Sequence, residues 1–275
     1  MDTRTMVRAG VSVLLATLVA GCSSSTRDAG AGSTTSTPAS PTASEAAGLA
    51  YVAFGASWAY GAHCGMCETF VSYYATYLEE ETGRQVELDN RTTNGGDTAD
   101  LLRTLRSDDD ARASVARADV VVIGDGLNDL DRTGTLEMVA DDRCGAGGSE
   151  CLRRMGPRWR RSFDAILDEV DALTSGRAVA VRLVGAQNVF LSDPSIVADY
   201  RLPAGFARGG GETLTRDLAD AMQSAADRHD ARFVDVWRSF NGPSHDRSWD
   251  ENSPEAHQAV ARALLDTGLA PLDLG

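Results

Sequence analysis

Three short stretches of this chain hold the residue types that acyl transfer needs. "GASWAYG" sets Ser57 between glycines immediately after an apolar run, "NRTTNGGDTADLL" puts Gly95 and Gly96 just ahead of a helical pattern, and "GDGLNDL" closes another apolar run with Gly126, Asn128 and Asp129. A serine hydroxyl becomes a nucleophile once a base takes its proton. Backbone N–H groups and an asparagine side chain can donate to the negative oxygen that forms when it attacks a carbonyl. Each stretch alone has a plainer meaning: a helix cap for the serine, a turn for the glycine pair, loop chemistry for Asn-Asp. The base would have to come from among four histidines, His63, His229, His245 and His257.

The elements that position these residues follow from periodicity. "AYVAFG", "QVELDN", "ADVVVIG", "AVAVRLVG" and "ARFVDVW" are Val-rich and several are apolar on both faces, as strands covered by helices on both sides must be. Between them run helical patterns: "TFVSYYATYLEEE", "TADLLRTLR", "RWRRSFDAILDEVDALT" and "TLTRDLADAMQSAADRH", with "PEAHQAVARALLD" last. Strands alternating with helices imply right-handed crossovers and a parallel sheet, so the expected fold is a three-layer α/β/α sandwich with five parallel strands. Ligands bind such sheets beyond the carboxyl ends of the strands, which is where the three stretches fall.

Serine after strand one, glycine after strand two and Gly-x-Asn-Asp after strand three, in that order, resemble the SGNH/GDSL hydrolases, a family of serine esterases and lipases. The resemblance runs over the whole expected domain, 49–275. It implies that Ser57 is the nucleophile and that the oxyanion hole comes from the amides of Ser57 and Gly95 and the side chain of Asn128. Two departures stand out. The family's Gly-Asp-Ser reads Gly55-Ala56-Ser57 here, and its last-block Asp-x-x-His is not reproduced in "SHDRSWDENSPEAHQAVARALLD". Aligning Asp250 with the family aspartate puts Ser253 at the histidine; aligning the final helix puts Asn252 there and Trp249 at the aspartate. The expected replacement base is His257, with Asp250 as its acidic partner and His245 as second choice. Ser253 is expected to cap the last helix, with Pro254 at its first position. The function expected is a serine esterase cleaving a carboxylic or O-acetyl ester on lipid or glycan. The alternative is a catalytically weak or inactive module that binds an acyl or glycan ligand or a partner protein.

The start of the chain sets the expected compartment. Arg4 and Arg8 precede "VSVLLATLVA", long enough for an export signal and short for a membrane span. The run ends in "LVAGC", which resembles the bacterial lipobox, so 1–21 reads as a lipoprotein signal peptide with Cys22 lipidated. Residues 22–48 are rich in Ser, Thr, Ala, Gly and Pro and too poor in large apolar groups to offset ordering entropy, and they read as a flexible tether. The protein is therefore expected outside the cytoplasm, held to the membrane through Cys22. The net charge of -14 argues against nucleic acid as a partner. No cofactor and no metal are expected, and the chain is expected to be a monomer. With Cys22 assigned to lipid, Cys64, Cys67, Cys144 and Cys151 remain. In an oxidising compartment they read as two disulfides, with local pairing Cys64 to Cys67 and Cys144 to Cys151 preferred. "CGMC" could instead be a redox dithiol or half of a zinc site.

Overall fold

The computed structural model describes residues 48–145, 148–240, 250 and 252–272. The signal peptide, Cys22 and all but the last residue of the tether lie outside the described residues, as do His245 and Trp249. In chain order the elements are β1 (Leu49–Gly55), α1 (Ser57–Tyr60), α2 (Phe70–Thr82), β2 (Val86–Asn90), α3 (Thr98–Ser107), α4 (Asp109–Arg117), β3 (Val120–Gly124), α5 (Asp129–Arg132) and α6 (Thr135–Ala140). They continue with α7 (Ser149–Leu173), β4 (Ala180–Val184), α8 (Val189–Ser192), α9 (Pro194–Asp199), α10 (Gly210–Arg228), β5 (Arg232–Val234), α11 (Val236–Phe240) and α12 (Pro254–Asp266). Five strands pair in parallel in the order β2-β1-β3-β4-β5, the expected three-layer sandwich.

Side-chain alternation along the strands divides the core in two. Val52, Phe54, Val121, Ile123 and Leu183 face a layer that includes Leu101 of α3, Trp159 and Phe163 of α7 and Leu218 of α10. Tyr51, Ala53, Val120 and Val122 face Phe70, Tyr74 and Leu78 of α2 and Val260 and Leu264 of α12. Both faces being covered explains why β3 reads as an unbroken "VVVI". Each valine, leucine, isoleucine or phenylalanine among them contributes roughly 1.5–3 kcal/mol by leaving water.

The sequence order is the source of the site. From β1 the chain crosses to β2 on one side and then to β3 on the other, so the connections at the carboxyl ends of β1 and β3 part in opposite directions. That divergence opens a crevice where ligands settle in sheets of this kind.

α12 carries the last block of the sequence and is anchored by an unusual group. Arg182 of β4 is fully buried on the face shared with α2 and α12. Its Nε donates to the Thr267 hydroxyl at 2.7 Å, and its Nη2 donates to the carbonyls of Gly268 at 2.5 Å and Ala270 at 3.1 Å. Burial lowers its pKa, while Tyr74 beside it is itself pushed up to about 12 by burial. Removing the guanidinium deletes three charge-assisted hydrogen bonds between β4 and the end of α12, each worth about 1 kcal/mol or more. Arg182→Met is therefore expected to lower unfolding free energy by about 3 kcal/mol in urea titration and to speed amide exchange at 267–272. An unchanged midpoint would show that the clamp contributes nothing.

Candidate active site

Ser57 owes its position to a tight turn. A Cβ at Gly55 would lie 2.6 Å from the Ala59 Cβ and 3.0 Å from the Gly124 carbonyl, so only glycine lets α1 fold back over the strand end. Ala56, extended at φ -93 and ψ -157, donates its N–H to the Gly124 carbonyl at 3.2 Å. Ser57 then opens α1 half-buried. The β3 side is braced harder. The Thr98 hydroxyl donates to the fully buried Asp129 carboxylate at 2.8 and 2.9 Å, and Trp159 Nε1 lies 3.0 Å from the same carboxylate and 2.9 Å from the Gly126 carbonyl. One carboxylate thus ties together the start of α3, the loop after β3 and α7.

Asn128 Nδ2 donates to the Gly96 carbonyl at 2.8 Å. An amide NH₂ has two hydrogens, so one is left for a ligand. Ser57 and Asn128 line the same cavity, of about 420 Å³, together with His63, Asp125, Asp193 and Asn252. Much of the remaining wall is apolar: Leu127, Leu130, Leu136, Val189, Phe190 and Ile196. Gly95 and Gly96 both lie outside it and line a neighbouring cavity with Arg91, Thr92 and Thr93, Gly95 exposed at φ +79 and Gly96 buried with its carbonyl against Asn128.

Asp125 lines both cavities and is 9% exposed. Burial pushes its carboxyl up to about 8, against the Gly126 N–H that bonds it at 2.6 Å and with help from the charges of Asp129 and Asp100.

Neither His257 nor Asp250, the expected base and its acidic partner, lines the Ser57 cavity. His257 is fully buried, its Nδ1 accepts the Phe70 N–H at 3.2 Å, and its ring stacks on Trp58 and Phe70 with centroids 5.5 and 6.1 Å away. Its Nε2 is buried without a hydrogen-bond partner, and burial lowers its pKa to about 4, with the charge of Asp250 opposing. It does not line the cavity. Asp250 is exposed and receives the Asn252 N–H at 3.0 Å. Ser253 caps α12 as expected, accepting the Ala256 N–H at 3.1 Å. Asn252, the residue that the helix alignment sets at the histidine position, does reach the cavity. His229 ends α10 against Asp171, 2.7 Å away, and does not line it.

Cys64 is bonded to Cys67 and Cys144 to Cys151, the preferred local pairing. The first two sulfurs and a His257 ring nitrogen lie within 4.8 Å of one another, the one such metal-sized group among the described residues. With both sulfurs in a disulfide, that set offers no thiolate to a metal.

A serine and an asparagine converging on one cavity at the β1–β3 divergence is the arrangement that the GDSL motifs require, and the model of the GDSL-like lipase/acylhydrolase family matches residues 53–258. The chain belongs to that family. Among solved structures, this GDSL-family chain is similar in fold to a lipase from a goat-rumen metagenome, at 23% identity and TM-score 0.62, covering 82% of this chain and 100% of that one. It is also similar to an extracellular lipase from Streptomyces rimosus, at 17% identity and TM-score 0.52 over 80% and 99% of the two chains. A catalytic mutant of an acetylxylan esterase from Geobacillus stearothermophilus aligns at 14% identity and TM-score 0.53 over 84% and 98%. A search of curated protein sequences gives no match.

The buried Asp125 makes stability depend on pH. Its folded pKa of about 8 lies above the ordinary 3.8, so the stability carried by its protonated form is complete below about pH 4 and lost as pH rises through about 8. Asp125→Asn is isosteric and does not ionise. Its stability relative to wild type, read from urea midpoints, is expected to grow steadily between those limits, and a difference independent of pH would contradict the burial of an ionisable carboxyl.

Proposed function

We propose that the domain is a serine ester hydrolase with Ser57 as nucleophile. Ser57 Oγ attacks the ester carbonyl carbon as its proton passes to a base, the alcohol departs with that proton, and water then releases the acid from acyl-Ser57. The Ser57 N–H and the second Nδ2 hydrogen of Asn128 stabilise the oxyanion. A third donor is the backbone N–H of Gly95, in the turn whose next carbonyl, that of Gly96, accepts from Asn128. The observation that carries this reading is the shared cavity of Ser57 and Asn128 at the β1–β3 divergence. Its apolar wall favours an acyl group larger than acetyl, and the alcohol side remains a lipid or glycan. Lipidation of Cys22 and a flexible 22–48 segment would hold this activity at the outer face of a membrane.

A second reading, a binding module with little turnover, draws on one observation: Asn252, which the final-helix register sets at the family's histidine, lines the cavity and is an amide that takes no proton at working pH. Kinetics separate the two. A series of nitrophenyl esters from acetyl to dodecanoyl should show kcat/KM rising about fourfold per methylene until the cavity is full, as expected for about 0.8 kcal/mol per buried methylene. Ser57→Ala should abolish turnover, and Asn128→Ala should lower kcat by about 10²–10³. No turnover by wild type, or full turnover by Ser57→Ala, would give the binding module the stronger claim.

A further inference from the structure

Resting on the reading of Ser57 as nucleophile, we propose that His63, backed by Asp193, is the general base of this enzyme and replaces the histidine that the last block lacks.

His63 is the one histidine among the described residues that lines the Ser57 cavity. It arrives there by a short route. α1 ends at Tyr60, Gly61 turns the chain at φ +84, and a single 3-10 turn, Ala62–Cys64, carries the imidazole. The turn is stapled. Cys64 is bonded to Cys67, the Met66 N–H donates to the Gly61 carbonyl at 3.0 Å, and a Cβ at Gly61 would meet Cys67 O at 3.2 Å and the Thr69 methyl at 3.1 Å. An exposed histidine is thereby held on a constrained loop, six residues after the nucleophile, with water at hand for proton exchange. The Cys64–Cys67 disulfide thereby closes the loop that carries the imidazole.

Asp193 comes from the far side, between α8 and α9, and lines the same cavity. It caps α9, its Oδ1 accepting the Ser195 hydroxyl at 2.5 Å and the Ser195 N–H at 2.9 Å. Its pKa is lowered first by the Ser195 hydroxyl, against a burial penalty, then by the Ser195 N–H and by the charge of His63. A carboxylate fixed within electrostatic reach of an imidazole is what orients a base and stabilises its protonated form. The other titratable groups on the cavity wall are Asp125, Asp131 and Tyr200.

The proton balance closes on this ring. His63 takes the Ser57 hydroxyl proton as Oγ bonds to the carbonyl carbon, Asp193 steadies the imidazolium, and the ring returns the proton to the departing alkoxide. It then takes a proton from the water that attacks acyl-Ser57 and delivers it to Ser57 Oγ as the acid leaves. Asp193 acts through His63 and is a positioning residue.

The test is kinetics of the exported, disulfide-intact protein on a nitrophenyl ester. His63→Ala should lose about 10²–10⁴ in kcat/KM. Added imidazole should restore part of the loss, as it would for a missing base and not for a misfolded chain, and Asn252→His introduced into His63→Ala should restore activity by returning an imidazole to the cavity. Asp193→Asn keeps an oxygen for the α9 cap but removes the charge, so the acid limb of the pH profile of kcat/KM should move to lower pH. A purely structural aspartate would scale the profile without moving that limb. Ser57→Ala inactive with His63→Ala at the wild-type rate overturns this proposal alone. Ser57→Ala at the wild-type rate, or an inert wild type, overturns the nucleophile reading and takes the base with it.

Discussion

The site depends on how β1 and β3 end. The two strands stay in register to their last residues, Gly55 opposite Gly124, and then part because their connections leave toward opposite sides of the sheet. Neither glycine has a side chain to fill the gap, and the Gly55 position has no room for one. The first residues beyond the pair, Ala56 and Asp125, begin the walls of the crevice, and Ser57 and Asn128 follow within a few residues. A different strand order would not bring those two side chains to one opening.

What surrounds that opening holds it rigid at some electrostatic cost. Ala56 provides no carboxylate where GDSL hydrolases carry one, and the buried Asp129, gripped by Thr98 and Trp159, ties together the loops after β2 and β3. Asp125 adds a second carboxyl on the shared wall of two cavities, raised by burial and by the charge of Asp129. On the opposite face of the sheet, Arg182 clamps the end of α12, whose beginning delivers Asn252 to the cavity. Buried polar groups of this kind are costly unless paired, and they concentrate where a structure must be specific.

The sheet and its long helices were legible because burial on both faces leaves its mark as continuous valine in the strands and helical spacing between them. Ser57 and Asn128 were legible because position after a strand fixes where a side chain emerges. Gly95 and Gly96 satisfy the same turn pattern, and the bond from Asn128 to the Gly96 carbonyl is a tertiary fact that no local pattern carries. His257 had a readable signal against a solvent-accessible base, since His257, Val260, Ala261 and Leu264 follow the i, i+3, i+4, i+7 spacing of a core-facing stripe, and all four are buried. The cavity wall from α8 and α9 was invisible because four- and six-residue helices carry too little periodicity to register. No local pattern could join His63 to Asp193, which the chain brings together only after three further strands.

The claim on which the account stands is that Ser57 is a nucleophile exposed at this crevice. A fluorophosphonate reacts with an activated serine by losing fluoride and leaving a stable phosphonyl ester on the oxygen, so peptide mapping by mass spectrometry reads the site directly. The account predicts one adduct, on the peptide that carries Ser57, formed by the folded protein and abolished by prior unfolding. No adduct, or one on a serine outside the cavity, would contradict it.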